Sequence, residues 1–251
     1  MKVVVIGGSG LIGSKLVARL KEQGHEAVAA SPKTGVNTLT GEGLADVLDS
    51  ADVVADVSNS PSLEDAAALE FFQTSTHNLL AAEATAGVGH HVALSIVGCD
   101  RLPDSGYLRA KVAQEKLITD ARVPYTVVRA TPFFEFVASI IDAGTDGNVV
   151  RLAPVLFEPI AADDVATAVA DVAVNAPVNG TVEVAGPDRF RLDELARATL
   201  AERHDSREVV TDSAARYFGA ALSEDSLVPA SGARIAATQL ADWRKQATDK
   251  K

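Results

Sequence analysis

The chain has 251 residues, 47% hydrophobic and 23% charged, which is enough apolar material for a packed core and excludes disorder as its main state. Its 34 acidic and 23 basic residues leave a formal charge of −11 with no basic cluster, so no nucleic-acid partner is expected. A single cysteine, Cys99, excludes an internal disulfide framework and a cysteine-rich zinc site.

The opening run Met1–Ile6 is too short for a signal peptide. No later stretch reaches the roughly 18 apolar residues of a membrane span, so a soluble, cytoplasmic protein is expected. Short β-branched runs then alternate with longer helical patterns, the signature of a parallel sheet built from βαβ units. The pattern predicts a strand at Lys2–Ile6, a helix at Leu11–Gln23, a strand at His25–Ala30 and a short helix at Thr40–Leu48. A buried strand follows at Val53–Val57, then a long helix over Glu64–Ala86 after Pro61. His91–Val97 reads as a strand, Gly106–Ala121 as a helix and Tyr125–Arg129 as a strand. Beyond residue 130 helices are predicted at Phe133–Ala143, Ala162–Val174, Leu192–Arg203, Ala214–Leu222 and Ala236–Gln246, with a strand at Thr181–Ala185. Lys250-Lys251 reads as a frayed tail. The fold class is α/β, a Rossmann-type doubly wound parallel sheet with a small C-terminal substrate lobe. Residues 1–150 are expected to form the dinucleotide-binding core. Residues 151–251 are expected to complete the sheet and form the lobe.

Gly7-Gly8-Ser9-Gly10-Leu11-Ile12-Gly13 follows the first strand and opens the first helix. Gly7 allows a sharp turn, Gly10 lets a pyrophosphate approach the backbone, and Gly13 lets helix and strand pack closely. Ser9, Leu11 and Ile12 share the turn, and the helix N-terminus offers free N–H groups to phosphate. A carboxylate about 20 residues on would hold the ribose diol of NAD(H). None lies between Ala27 and Gly41, where Ser31-Pro32-Lys33-Thr34 stands instead. A hydroxyl at Ser31 and an ammonium at Lys33 suit a 2′-phosphate, so NADP(H) is expected, with NAD(H) the second choice. The alternative for Lys33 is a solvated loop lysine.

Tyr107 and Lys111 stand four residues apart, so on a helix they share one face. Ser95 lies 12 residues before Tyr107, near the C-terminal end of its strand, at the rim where ligands bind in open sheets. Carbonyl reduction by hydride transfer needs a proton donor, which the phenol supplies. An adjacent ammonium lowers the phenol pKa, and a serine hydroxyl orients the oxygen.

With the glycine turn, this trio resembles the short-chain dehydrogenase/reductase superfamily. The finer resemblance is to its atypical NmrA-like, NAD(P)H-binding branch. It is carried by Asp56-Val57-Ser58-Asn59, His91–Gly98, Arg109-Ala110-Lys111, Tyr125–Arg129, Pro159–Ala166 and Thr238–Trp243. The resemblance spans essentially the whole chain. It implies that Val57, Ser58 and Asn59 lie near the cofactor's ribose and nicotinamide. It also implies that Lys111 holds the nicotinamide ribose, and that Ala130, Thr131, Pro132 and Phe133 run beside the ring. Relatives often carry Pro directly after the arginine of the fifth strand, whereas here Ala130 follows Arg129 and Pro132 comes later. Some lack the tyrosine and bind dinucleotide as sensors, so the retained Tyr107 favours an enzyme.

The expectation is an NADPH-dependent reductase of a small carbonyl, quinone or activated double bond. Its catalytic residues are Ser95, Tyr107 and Lys111. Alternatives are a non-catalytic NADP(H)-binding redox sensor or regulator and a sugar-nucleotide epimerase or dehydratase. The partner is a small-molecule substrate, and a homo-oligomer is compatible with the sequence. Phe133, Phe134 and Phe136 line an apolar pocket or pack in the core. His90 and His91 point to opposite strand faces, and no close ligand set accompanies them, so no metal is expected. Asp163-Asp164 supports a helix start, with a contact to the dinucleotide-binding core as the second reading.

Overall fold

A computed structural model describes residues 1–249; the Lys250-Lys251 tail lies outside the described residues. The first half alternates as expected. Strands β1 (Lys2–Ile6), β2 (Glu26–Ala30), β3 (Val53–Asp56), β4 (His90–Ile96) and β5 (Tyr125–Ala130) are joined by four helices. These are α1 (Leu11–Glu22), α2 (Leu44–Leu48), α3 (Asp65–Ala86) and α4 (Gly106–Asp120). Two later strands, Gly180–Ala185 and Arg234–Ile235, extend the same sheet beyond β5. All seven strands are parallel, in the order Arg234–Ile235, Gly180–Ala185, β5, β4, β3, β1, β2.

The chain leaves β1 toward β2 on one side and returns to β3 on the other. That reversal opens a crevice at the strand C-termini, where doubly wound sheets take their ligands. Both faces of the sheet are covered, so its side chains alternate between two apolar layers. Val3 and Val5 join Leu16, Leu20, Val165 and Val169 on one face, while Val4 and Ile6 join Leu44, Leu48 and Leu79 on the other. In α1, Ile12, Leu16 and Leu20 recur every four residues and form its buried stripe. Gly24, in the left-handed region at φ +84°, follows the helix.

Helix Ala162–Ala173 packs against α1. Lys15 of α1 pairs with Asp163 at 2.8 Å, and Arg19 donates to Thr167 at 3.1 Å. Asp164 accepts the Thr238 N–H at 3.1 Å. The acidic pair stands in the first turn of this helix, as expected, and Asp163 also makes the contact to the dinucleotide-binding core given as the second reading.

The remaining late residues build small sheets and helices around a second core containing Phe134, Ile140, Phe157, Leu195 and Leu227. Here local pattern misled. The expected helix Ala214–Leu222 is a hairpin, Arg216–Tyr217 paired with Ala220–Ala221 across Phe218-Gly219. Phe218 and Gly219 both take positive φ, +45° and +87°, which no helix tolerates. The last helix begins at Leu240 rather than Ala236, because Arg234–Ile235 is drawn into the sheet.

Candidate active site

The glycine turn is fixed by close packing. Gly7 has φ +77°, and a Cβ there would lie 2.8 Å from Ser58 Cα. A Cβ on Gly13 would lie 2.1 Å from the Gly7 carbonyl oxygen. Gly10 precedes α1 with neither a side-chain cap nor an acidic residue in the first turn. The first N–H groups of α1 therefore have no partner of their own in the helix and point where an anion would sit. Ser9 and Leu11 are exposed on the turn, whereas Ile12 is buried.

Three hydroxyls ring this crevice. The Oγ atoms of Ser31, after β2, and Ser58, after β3, are buried without a hydrogen-bond partner, as is Oγ1 of Thr131, after β5. A buried hydroxyl left unpaired costs about 1–3 kcal/mol, so three at the ends of strands of one sheet fit a polar ligand lying across them. Lys33 is exposed in the short turn Pro32–Thr34, which Thr34 Oγ1 braces by accepting the Ser31 N–H at 2.9 Å. The Val57 N–H donates to Ile6 at 3.0 Å, which holds the β3 exit beside the glycine turn. On the β5 side, Val97 N–H donates to Ala130 at 2.9 Å, Thr131 N–H to Val184 at 3.0 Å, and Pro132 accepts from Ile160 at 3.0 Å. Phe133 stacks on the exposed Phe136 with centroids 5.2 Å apart, while Phe134 is core against Trp243.

Helix α4 carries the expected tyrosine and lysine. Ser105 caps it by accepting from Leu108 N–H at 3.4 Å. Tyr107 is half-buried, and its O–H donates to Asn59 Oδ1 at 2.6 Å. That bond joins the phenol to the segment packed on Gly7, so glycine turn, Ser58-Asn59 and Tyr107 form one contiguous wall. Burial pushes the phenol pKa up to about 12, with the Asn59 hydrogen bond opposing. Lys111 is buried on the same helix. Its Nζ donates to Leu94 O at 2.9 Å and to Gln114 Oε1, and lies 4.4 Å from the Phe72 ring centroid. Burial draws the ammonium pKa down to about 8, while Asp56 and Glu115 support the charge. In this arrangement Lys111 does not lower the phenol pKa, which corrects the sequence expectation. Its donors are spent on its own helix and on β4.

Ser95 is corrected as well. It is buried on the α3/α4 side of β4, and its Oγ donates to Glu115 Oε1 at 2.6 Å rather than joining Tyr107. Glu115 also receives Arg129 at 2.9 and 2.6 Å and the Cys99 thiol at 3.4 Å. Burial pushes that thiol up to about 12, so it remains protonated. The histidines are structural. His90 Nε2 meets Thr126 Oγ1 at 2.9 Å, and His91 Nδ1 meets Glu83 at 2.8 Å.

Sequence reasoning missed Asp56, Gln114, Glu115 and Tyr217. Gln114 and Glu115 follow Lys111 at i+3 and i+4, so they share its buried face, a signal that was present. Asp56 entered only as part of the buried strand Val53–Val57 and of the resemblance, with no role of its own. Tyr217 sits on the misread hairpin. It packs in the same apolar cluster as Tyr107, and burial together with that neighbouring phenol holds its pKa above the ordinary value.

Residues 3–95 match the NAD dependent epimerase/dehydratase family. The photosystem II assembly factor Ycf39 of Synechocystis sp. is 26% identical over 149 residues, 54% of this chain and 46% of that protein. The chain thus matches about half the length of this curated relative. Among solved structures, dTDP-4-dehydrorhamnose reductase from Bacillus anthracis in complex with NADP superposes with TM-score 0.73 at 15% identity, covering 99% of both chains. MoeE5 in complex with UDP-glucose and NAD superposes with TM-score 0.71 at 19% identity, covering 99% of this chain and 100% of that one. Residues 3–95 thus resemble the NAD dependent epimerase/dehydratase family, and the whole chain shares the Rossmann-type α/β fold of these nucleotide-bound structures.

Proposed function

We propose that this chain is an NADPH-dependent reductase acting on a small carbonyl, quinone or activated double bond. The observation that carries it is the Tyr107 phenol, held at 2.6 Å from Asn59 on the wall that continues into the glycine turn. The turn and the first N–H groups of α1 would take the pyrophosphate. Ser31 and Lys33 would take the 2′-phosphate. Ser58, Asn59 and the Ala130–Phe133 segment would flank the ribose and nicotinamide, with Lys111 behind them. The bound nicotinamide supplies hydride. Tyr107, with a pKa near 12, is protonated at neutral pH and supplies the proton to the oxygen formed on reduction. The stacked Phe133 and Phe136 would form an apolar side of the substrate site.

One observation favours a second reading, a non-catalytic NADP(H)-binding sensor. Ser95 and Lys111 are both engaged by protein groups, which leaves the phenol without the activation a typical trio gives. Neighbouring structures also include sugar-nucleotide epimerases, and epimerisation is the third reading.

A panel of carbonyls, quinones and nucleotide sugars separates the three. The reductase reading expects NADPH oxidation with at least one carbonyl or quinone, slowed about 10²–10⁴-fold in Tyr107→Phe. Tight NADPH binding without turnover on any member would establish the sensor instead. Redox-neutral conversion of a nucleotide sugar would establish the epimerase.

A further inference from the structure

Asp56 ends β3 and is almost wholly buried among apolar strands, where a carboxylate needs a reason to be. Its two oxygens serve two different elements. Oδ1 accepts the Ser58 N–H at 3.0 Å, and Oδ2 accepts the Gln114 side-chain N–H at 3.0 Å. The other end of the Gln114 amide accepts from Lys111 Nζ. The amide is thus polarised end to end, its N–H toward the carboxylate and its carbonyl toward the ammonium. One residue beyond Ser58, Asn59 receives the Tyr107 phenol. A single hydrogen-bonded path therefore runs from Lys111 through Gln114 and Asp56 to the segment that holds Tyr107.

We propose that Asp56 is a positioning residue of this site, fixing Lys111 as a cation through Gln114 and fixing Asn59 beneath the phenol through the Ser58 N–H. That Lys111 is held for a cofactor rests on the reductase reading; the electrostatic hold on Lys111 does not. The charged neighbours are few. Lys111 is faced by Asp56 and Glu115, with the protonated Cys99 nearby. Asp56 is felt on its other side by the buried pair His91 and Glu83, on β4 and α3.

The test uses the full chain with ¹³Cε-labelled lysine, the Lys111 resonance being assigned by its loss in Lys111→Met. In the wild type the resonance should titrate near pH 8. Asp56→Asn removes the supporting charge, so the midpoint should move down by about one pH unit, and Asp56→Glu should restore it. Gln114→Leu, which keeps the carboxylate but breaks the path, should also move it down and serves if Asp56→Asn does not fold. NADPH affinity, measured by calorimetry, should weaken about 10-fold in Asp56→Asn and recover in Asp56→Glu. An unmoved Lys111 midpoint in a folded Asp56→Asn or Gln114→Leu protein overturns the positioning role. Failure of the wild type to bind either nicotinamide nucleotide overturns the reductase reading alone.

Discussion

Replacing Gly13 by alanine tests how the first turn is built. The added Cβ would stand 2.1 Å from the Gly7 oxygen and 2.7 Å from both Gly7 C and Gly8 Cα. Ordinary contact would require the turn to retreat by roughly 1 Å. It has nowhere to go, because Gly8 already lies against Ala29 and Gly7 against Ser58. Overpacking of this kind costs about 2 kcal/mol, and for a chain of this size Tm should fall by roughly 4–8 °C. Gly10→Ala is the contrasting case. Gly10 has φ −83°, and its Cβ would meet only the Gly7 oxygen, at 3.2 Å. That variant should keep its Tm within about 2 °C yet lose nucleotide affinity, because its methyl group occupies the space a pyrophosphate needs. Differential scanning calorimetry and titration with NADPH read both effects. Equal stability of Gly13→Ala and wild type, or a larger loss in Gly10→Ala, would refute this account of the turn.

Lys33→Ala should weaken NADPH binding about 10-fold and leave NADH binding unchanged, measured by fluorescence titration of both. NADPH affinity should weaken as pH rises through about 8, where Lys111 gives up its proton, and Lys111→Met should abolish that dependence. His90 is held neutral, its pKa drawn down to about 4 by burial and by His91. The unfolded chain therefore takes up a proton near pH 6.5 that the folded chain refuses until about pH 4, so stability falls as pH drops across that window. Urea unfolding at pH 7 and pH 5 should show a smaller difference in His90→Gln than in wild type.

The first five strands and four helices were legible because each is specified locally, by β-branched runs, four-residue apolar spacing and glycine or proline stops. The Arg216–Ala221 hairpin was not. Its alanines and tyrosine suit a helix, whereas the observed pairing is between residues only three to five apart and turns at Phe218-Gly219, where Gly219 was the overlooked turn signal. At the site, Tyr107 and Lys111 were found by spacing, but spacing carries no information on where a donor's hydrogens go. Ser95 stands at the expected strand end, yet it faces Glu115 because side chains alternate along β4 and the α4 side holds the Arg129–Glu115 pair. Asp56 illustrates the converse, a polar residue in an apolar strand whose meaning becomes visible only when Gln114 is brought to it.

The bare beginning of α1 carries one more consequence. A helix that starts with neither cap nor acid is incomplete by itself, and a bound diphosphate would finish it. Nucleotide would then be part of the folded state's own thermodynamics, adding about 2.7 kcal/mol at a hundredfold excess over Kd. The working lifetime of this protein would accordingly rise and fall with the supply of its coenzyme.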